Sequence, residues 1–423
     1  MTERSPTAPR ADEVVVLGAG AAGLWCAARL AELGRPVRLL EKTARAGTKV
    51  LASGGTRCNL TTTLGPEEAG RLFGTQGERF LRRGLRALTP LDVRERFHAL
   101  GVPTVEAPLE KVFPASDRAR DVRDALLRWG LEAGVKVSYE SGLSSLERVE
   151  GAWRLGLKDG ASLRATTVVL AVGGKSYPRT GTTGDGYPWL RALDLPLVEP
   201  VPALVPLSSS AAWVHALTGI ALQDVHAKLV DGSGRTVARR NRPVVFTHRG
   251  LSGPGAMDLS EPVARAGAHE LILDLLPAAT REDLRGLLVE AAGIAGGPAV
   301  GRSLAHAGLS LPKRLVRRVG EQAGLEHGNP PARTLTKSTR HAFVEALKGL
   351  RVPVDGTLGF DQAEVTAGGL ALSSVDPGSC RVRGAEGLYV IGELLDLQGP
   401  IGGLNFQAAF CTAELAARAL ASA

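Results

Sequence analysis

The sequence predicts an α/β protein with a parallel sheet at its centre, and three observations predict it. Val14 to Glu41 reads as strand, glycine turn, helix and strand, closed by an acidic residue. Leu388 to Asn405 repeats the pairing of a buried strand with a glycine-rich helix start. Between the two, composition turns to short alternating runs from Pro196 and to helical periodicity from Arg281 to Arg351.

Val14-Val15-Val16-Leu17 is a continuous apolar run, as expected for a strand buried on both faces. Gly18-Ala19-Gly20-Ala21-Ala22-Gly23 follows and matches G-x-G-x-x-G. Gly18 permits the tight turn, Gly20 lets backbone N–H groups approach a pyrophosphate, and Gly23 lets helix and strand pack closely. The helix opens at Ala21 and Ala22, where its unpaired N–H groups favour phosphate, and is expected to stop at Gly34. Val37–Leu40 is the second strand, and Glu41 stands 18 residues after Gly23. A carboxylate there accepts ribose hydroxyls, which favours FAD or NAD over a 2′-phosphorylated nucleotide. The motif is of Rossmann type, and its context makes it specific: strand before, helix after, acid at the right distance.

Ser53-Gly54-Gly55-Thr56-Arg57-Cys58-Asn59 forms a donor-rich, backbone-exposing loop just beyond the ribose strand. It suits the second face of a pyrophosphate or the edge of a polar ring, and an ordinary polar loop is the competing reading. Lys42 and Lys49 flank it and are placed with the cofactor site. Residues 66–134 look largely helical, broken near Glu110–Pro114. Their arginines, among them Arg79, Arg82, Arg83 and Arg86, read as a solvated face. Strands follow, with a hairpin turn at Asp159-Gly160. Val168-Val169-Leu170-Ala171-Val172 then runs into Gly173-Gly174, a third strand-plus-glycine unit. Gly174-Lys175-Ser176 is not a Walker loop, because the motif requires glycine where Val169 stands. Gly250-Leu251-Ser252-Gly253-Pro254 fails as a nucleophile elbow, having proline at the last glycine position.

A second β hairpin is expected at Asp231–Gly234. Residues 281–351 then hold twelve Lys/Arg and six Asp/Glu, a net +6 of the chain's +8. Lys313, Arg314, Arg317 and Arg318 share one helix face, and Arg333, Lys337 and Arg340 form a second stripe. Charge concentrated on one helical lobe is a nucleic-acid cue, with a solvated surface as the alternative. At the chain's end, Leu388–Ile391 runs into Gly392-Glu393, and Gly399–Gly403 precedes a terminal helix from Leu404. A second glycine-rich helix start so far along the chain suggests one long cofactor gripped from both ends, which FAD explains better than NAD.

At 423 residues the chain exceeds one simple core, so two or three units are expected. The first thirteen residues lack the apolar core of a signal peptide, and no run is long enough to span a bilayer. Four scattered cysteines and eight histidines show neither C-x-x-C pairs nor ligand spacing, so no metal is expected. A cytoplasmic monomer follows as the expectation.

Six stretches together resemble the YhiN/BaiN-like flavoproteins, also labelled aminoacetone-oxidase-family FAD-binding enzymes. They are Gly18–Leu24, Ser53–Thr61, Gly173–Gly186, Thr247–Pro254, Glu364–Gly369 and Gly392–Asn405. Thr56 departs from the pattern, where the family usually has a third glycine; loop flexibility should change more than activity. The resemblance implies a Rossmann-type two-dinucleotide-binding FAD domain from residues 1–195 and 352–423. Into it are inserted a β-rich subdomain, 196–277, and a basic helical subdomain, 278–351. Gly18, Gly20, Gly23 and Glu41 would serve the ADP half of FAD. Gly392, Glu393, Asp396, Gly402, Gly403, Leu404 and Asn405 would serve the flavin half, with the terminal helix start facing its pyrimidine end.

The resemblance extends to proteins that reduce uridine to dihydrouridine in 23S rRNA, oxidise aminoacetone, or reduce steroid-type enones. The first is the expectation here, with the basic helical lobe binding rRNA phosphates. Small-molecule oxidoreduction and a non-catalytic, FAD-containing RNA-binding factor are the alternatives. There is no second dinucleotide fingerprint, so NAD(P)H is expected to donate electrons from a transient site, with another reductant as the alternative. Hydride addition to an enone-like ring also needs a proton. Cys58 is the candidate donor, with a buried bystander thiol as the competing reading, and Arg57 is the candidate polarising group for the carbonyl.

Overall fold

The computed structural model describes residues 12–294 and 297–423, so most of the N-terminal stretch read above lies outside the described residues. The chain forms two compact units. One comprises the residues up to Pro202 together with Phe360–Ala423, and the other is Ala203–Gly359.

The first unit is built on a five-stranded parallel sheet in the order Leu388–Val390, Thr167–Leu170, Val14–Leu17, Val37–Leu40, Lys136–Ser138. The central strand, Val14–Leu17, is wholly buried, as its unbroken apolar run requires. The helix Ala21–Glu32 ends with Gly34 in the left-handed region, φ 83°, as the C-terminal signal predicts. That helix packs between Ala119–Glu132 and the terminal helix Leu404–Ala421. Its Trp25 meets Phe410 at 4.7 Å and Trp129 edge-on at 5.3 Å, ring centre to ring centre. The Trp25 indole also donates to the buried Glu414 carboxylate at 3.0 Å, which takes further bonds from Arg29 and Arg418. Burying a carboxylate is costly unless it is paired, and three donors do that here. The same contacts tie the chain's last helix to its first.

The expected hairpin about Asp159-Gly160 joins Ala152–Leu157 to Ser162–Ala165. The break near Glu110 proves to be a second hairpin, Thr104–Ala107 with Lys111–Pro114.

The second unit differs from expectation in being one body with one core. Its four-stranded antiparallel sheet runs Thr236–Arg240, His226–Val230, His269–Asp274, Leu350–Val354. The last of these strands comes from beyond the helical stretch, and Phe343, Val344 and Leu347 of the helix Lys337–Lys348 share a core with Leu271, Leu273 and Val352. Composition separates the β-rich from the helical segment, but the sheet partner recombines them. Boundaries move for the same reason. Leu197–Ala203 pairs with Val365–Leu370, so the first unit runs on to residue 202. Gly356–Thr357 pairs with Leu207–Ser208, so the second unit extends to residue 359.

Candidate active site

The glycines of the first turn divide by what surrounds them. A Cβ at Gly18, whose φ is +96°, would lie 2.6 Å from the Ala171 carbonyl oxygen, and one at Gly23 would lie 1.8 Å from that of Gly18. Both are demanded by packing. Gly20 has φ −81°, which any residue adopts, and a Cβ there would meet no protein atom within 4 Å. Nothing in the chain needs glycine at that position; the open space above a helix N-terminus is what a pyrophosphate needs. Ala22 lies under Gly392, where a Cβ would come within 2.9 Å of it. The glycine turns of the two chain ends therefore meet, as gripping one long cofactor from both ends requires.

Glu41 is buried and already engaged. Its Oε2 accepts from the Ala19 N–H at 2.8 Å, and its Oε1 from the N–H and hydroxyl of Thr43, each at 2.8 Å. A carboxylate oxygen accepts about two bonds, so Oε2 retains roughly one acceptor site for a ribose hydroxyl. Lys42 binds the Thr183 hydroxyl at 2.7 Å and forms an ion pair with Asp185. Burial alone would raise Asp185, but its bonds from Lys42 and Thr183 outweigh that and hold the carboxyl below its ordinary range.

Lys49 lies in a network drawn from four segments. Its Nζ is 2.5 Å from Glu393 Oε2 and 2.6 Å from the Ser176 hydroxyl, which donates to Glu393 Oε1 at 2.9 Å. The Thr366 N–H reaches the same oxygen at 2.9 Å, while the Thr366 hydroxyl accepts from the Lys175 N–H at 2.7 Å. A Cβ at Gly174 would stand 2.3 Å from that hydroxyl, so Gly174 makes room for the network rather than for a ligand. Gly173 is left-handed, φ 73°, and packs beside Thr182. Ser176, Thr183, Asp185 and Thr366 were not among the predicted site residues. They lie inside the Gly173–Gly186 and Glu364–Gly369 stretches, which carried the signal without saying which side chains meet.

Side chains of the loop after Lys49 are engaged within the fold. The Ser53 hydroxyl donates to Val50 O at 2.6 Å, and the Asn59 side-chain oxygen accepts from the Val112 N–H at 3.0 Å. Both thus brace the loop and its hairpin. Gly54, Gly55 and Thr56 are successively left-handed, with φ 55°, 67° and 73°, and a Cβ at Gly55 would meet open space. Arg57 is half-exposed, paired with Asp117 and stacked 4.1 Å over the Phe113 ring. Cys58 is fully buried, and burial pushes its thiol up to about 12, a bond with Ser53 opposing. A thiol with no exposed surface is poorly placed to protonate a substrate, and the bystander reading fits it better.

At the terminal helix, Gly403 has φ 82°, and a Cβ there would overlap Thr61 O at 1.9 Å. The Asn405 amide is turned back on the loop: its oxygen accepts from the Gly399 N–H and its nitrogen donates to Gly399 O, both at 2.9 Å. Asn405 therefore braces the turn instead of facing a ligand with its side chain. The first-turn N–H groups from Leu404 onward have no acceptor within the helix. Gly402 lies in the same turn with φ 146°, and Asp396 is half-buried with its N–H on Leu370 O at 3.0 Å.

In the second unit the predicted basic stripes are thinned. Arg314 donates to Ala216 O at 2.7 Å and Thr218 O at 3.1 Å, and Arg318 stacks 4.3 Å over Trp213. Both hold their own fold. Lys313, Arg317, Arg333 and Lys337 are exposed and Arg340 half-buried, but Arg333 sits in the turn Ala332–Thr334, not on the helix of Lys337 and Arg340. Among the described residues no cluster of His, Cys, Asp and Glu could hold a metal ion, and no helix is long and apolar enough to cross a membrane.

Two chain ends meeting at glycine turns on a parallel sheet, with a ribose-type carboxylate and open space over Gly20, define an FAD-dependent oxidoreductase of the Rossmann type. The chain belongs to the family described as HI0933-like protein Rossmann domain, which matches residues 12–419. It is 31% identical over 414 residues to the ribosomal RNA dihydrouridine synthase of Escherichia coli (strain K12), covering 97% of this chain and 98% of that one. It is 32% identical over 424 residues to the 3-dehydro-bile acid delta(4,6)-reductase of Clostridium scindens, covering 97% and 99%. Among solved structures, the 3-ketosteroid delta1-dehydrogenase of Sterolibacterium denitrificans aligns with a TM-score of 0.50 at 16% identity, over 97% of this chain and all of that one. At that identity the likeness is one of fold.

Proposed function

We propose that this chain reduces an activated C=C, namely that of a uridine ring in 23S rRNA, with NAD(P)H as a transient electron donor. The observation that carries the reading is the full-length similarity to a ribosomal RNA dihydrouridine synthase. FAD, when bound, supplies hydride exchange. The chain's own residues do the rest. The Gly18–Gly23 turn and helix start would hold the pyrophosphate, Glu41 the ribose, and the N–H groups at Leu404 the pyrimidine end, where their dipole would favour negative charge. Gly392 closes over Ala22, and Lys49, Ser176 and Glu393 keep that segment in register. Arg57, tethered by Asp117 at the loop surface, would polarise a ring carbonyl. Lys313, Arg317, Arg333, Lys337 and Arg340 would contact phosphates without reading sequence.

The 32% identity to a bile-acid reductase supports a second reading, a small-molecule enone reductase. Both add hydride and a proton across a double bond conjugated to a carbonyl, so the cofactor site does not discriminate between them. Dihydrouridine mapping of 23S rRNA in a deletion strain does. Loss of a mark, restored by the wild-type gene, supports the RNA reading. An unchanged map, with enone reduction by the purified protein, turns the assignment to the small molecule. Anaerobic stopped flow with NADH and NADPH tests the donor: no bleaching of the flavin by either would remove it.

A further inference from the structure

We propose that the exposed arginine face of the helix Gly74–Ala87 is a docking surface for the phosphodiester backbone of RNA. The inference rests on the RNA reading above and adds a surface on the FAD unit itself. Arg79, Arg82, Arg83 and Arg86 stand at i, i+3, i+4 and i+7, so they form one stripe. At about 1.5 Å rise per residue the stripe is ~10 Å long, room for two or three consecutive phosphates.

The opposite face fixes which way the stripe points. Gly77, Phe80, Leu81, Gly84 and Leu85 are buried, and a Cβ at Gly84 would lie 3.0 Å from the Cys411 side chain of the terminal helix. The helix cannot rotate without breaking that packing, so the four arginines are held outward, and all four are exposed.

Their charge is only partly offset, the Arg83 guanidinium lying against the Gly378 turn beside the Asp376 carboxylate. None of the four has an ion-pair or hydrogen-bond partner among the described residues, and the helix carries one acid, Glu78. Other arginines of the same unit are neutralised nearby: Arg94 pairs with Glu106 at 2.6 Å and Arg96 with Glu32 at 3.0 Å. Like charges at i, i+3 and i+4 oppose helix formation. A stripe that bears this cost without an internal counter-ion fits an external polyanion. Guanidinium groups suit one, since each can bind phosphate oxygens in pairs.

The N-terminal end of the helix is fixed as well. A Cβ at Gly77 would sit 3.3 Å from Leu397, and one at Gly399 would sit 2.9 Å from the Phe73 ring, immediately before the helix. Leu397 and Gly399 belong to the loop that Asn405 braces ahead of the terminal helix start. That loop meets the helix at its N-terminal end and on its buried face, so it anchors the helix from beneath while the stripe stands on the far side.

The test is fluorescence anisotropy of the FAD-loaded protein with a labelled in vitro transcript of a 23S rRNA fragment, titrated between about 50 and 200 mM salt. Replacing all four arginines by glutamine is expected to flatten the slope of log K against log salt by about 1.5–2, at ~0.7 for each of the two or three single-strand phosphates no longer neutralised. Replacing all four by lysine is expected to keep most of the slope. Flavin content and melting temperature, unchanged in both variants, confirm that the fold is intact. A glutamine variant that binds with wild-type affinity and slope overturns the inference while leaving the RNA reading standing. A wild-type protein that does not bind the transcript, together with an unchanged dihydrouridine map, overturns the RNA reading and this surface with it.

Discussion

Replacing Gly20 by alanine is expected to separate cofactor binding from folding. The backbone at Gly20 is extended, φ −81° and ψ −170°, and an added Cβ meets no protein atom within 4 Å. The apoprotein therefore tolerates the methyl group. A gain of about 0.4–1 kcal/mol from restricting the unfolded chain is offset by a similar loss at the helix N-cap, where alanine is poorer than glycine, so the apoprotein's stability should stay near wild type. The methyl group does occupy the space through which the helix N-terminus reaches a pyrophosphate. Losing one or two charge-assisted N–H bonds, at about 1.5–3 kcal/mol each, makes ~3 kcal/mol a fair central value. At about 1.4 kcal/mol per tenfold, FAD affinity falls by roughly two orders of magnitude. Titrating apoprotein with FAD and following flavin fluorescence measures the loss, and melting curves with and without FAD measure the stabilities. The expected pattern is an apoprotein about as stable as wild type and a diminished shift on adding FAD. Gly23→Ala is the contrast, since its Cβ would overlap Gly18 O at 1.8 Å and damage the fold itself. A Gly20→Ala protein that purifies with a full complement of FAD and wild-type affinity would refute the reasoning.

Three further outcomes are expected. Thr56 is held at φ 73°, which costs a β-branched residue about 1–2 kcal/mol. Thr56→Gly should therefore gain ~0.5 kcal/mol after the added unfolded-state entropy, and denaturant melts showing a loss would contradict that. Lys49→Met leaves the Glu393 carboxylate, mostly screened from water, without its cation and should cost about 1–2 kcal/mol. Adding Glu393→Gln should recover part of that loss, and a simple sum of the two single effects would argue against a coupled network. The four cysteines are free and buried, and burial raises each thiol, Cys58 and Cys411 to about 12. The native state thus holds thiol protons that the unfolded state releases from about pH 9, so stability falls as pH rises from 9 toward 12. Native protein should resist alkylation at neutral pH and react at all four thiols once denatured; rapid native modification of Cys58 would reopen its candidacy as proton donor.

The parts legible from sequence were those set by local chemistry. An unbroken apolar run can be solvated on neither face, so Val14–Leu17 announced a central strand. Glycine at 18, 20 and 23 and the acid at 41 follow from the geometry of one turn, one helix and one strand, all within 28 residues. Thr56 announced its strain only by contrast with the glycine usual at that place in the family. What sequence could not decide was which distant partner each side chain takes. Spacing put Arg314 and Arg318 on a face with Lys313 and Arg317, but the Ala216–Thr218 turn and the Trp213 ring claimed two of the four. Asn59 and Asn405 read as ligand contacts, and the Asn59 oxygen and both ends of the Asn405 amide bond backbone groups. Glycine demanded by packing, as at Gly174, and glycine beside open space, as at Gly20, are the same letter. Only the surrounding atoms tell them apart, because steric exclusion and hydrogen-bond satisfaction belong to the packed chain and not to the residue.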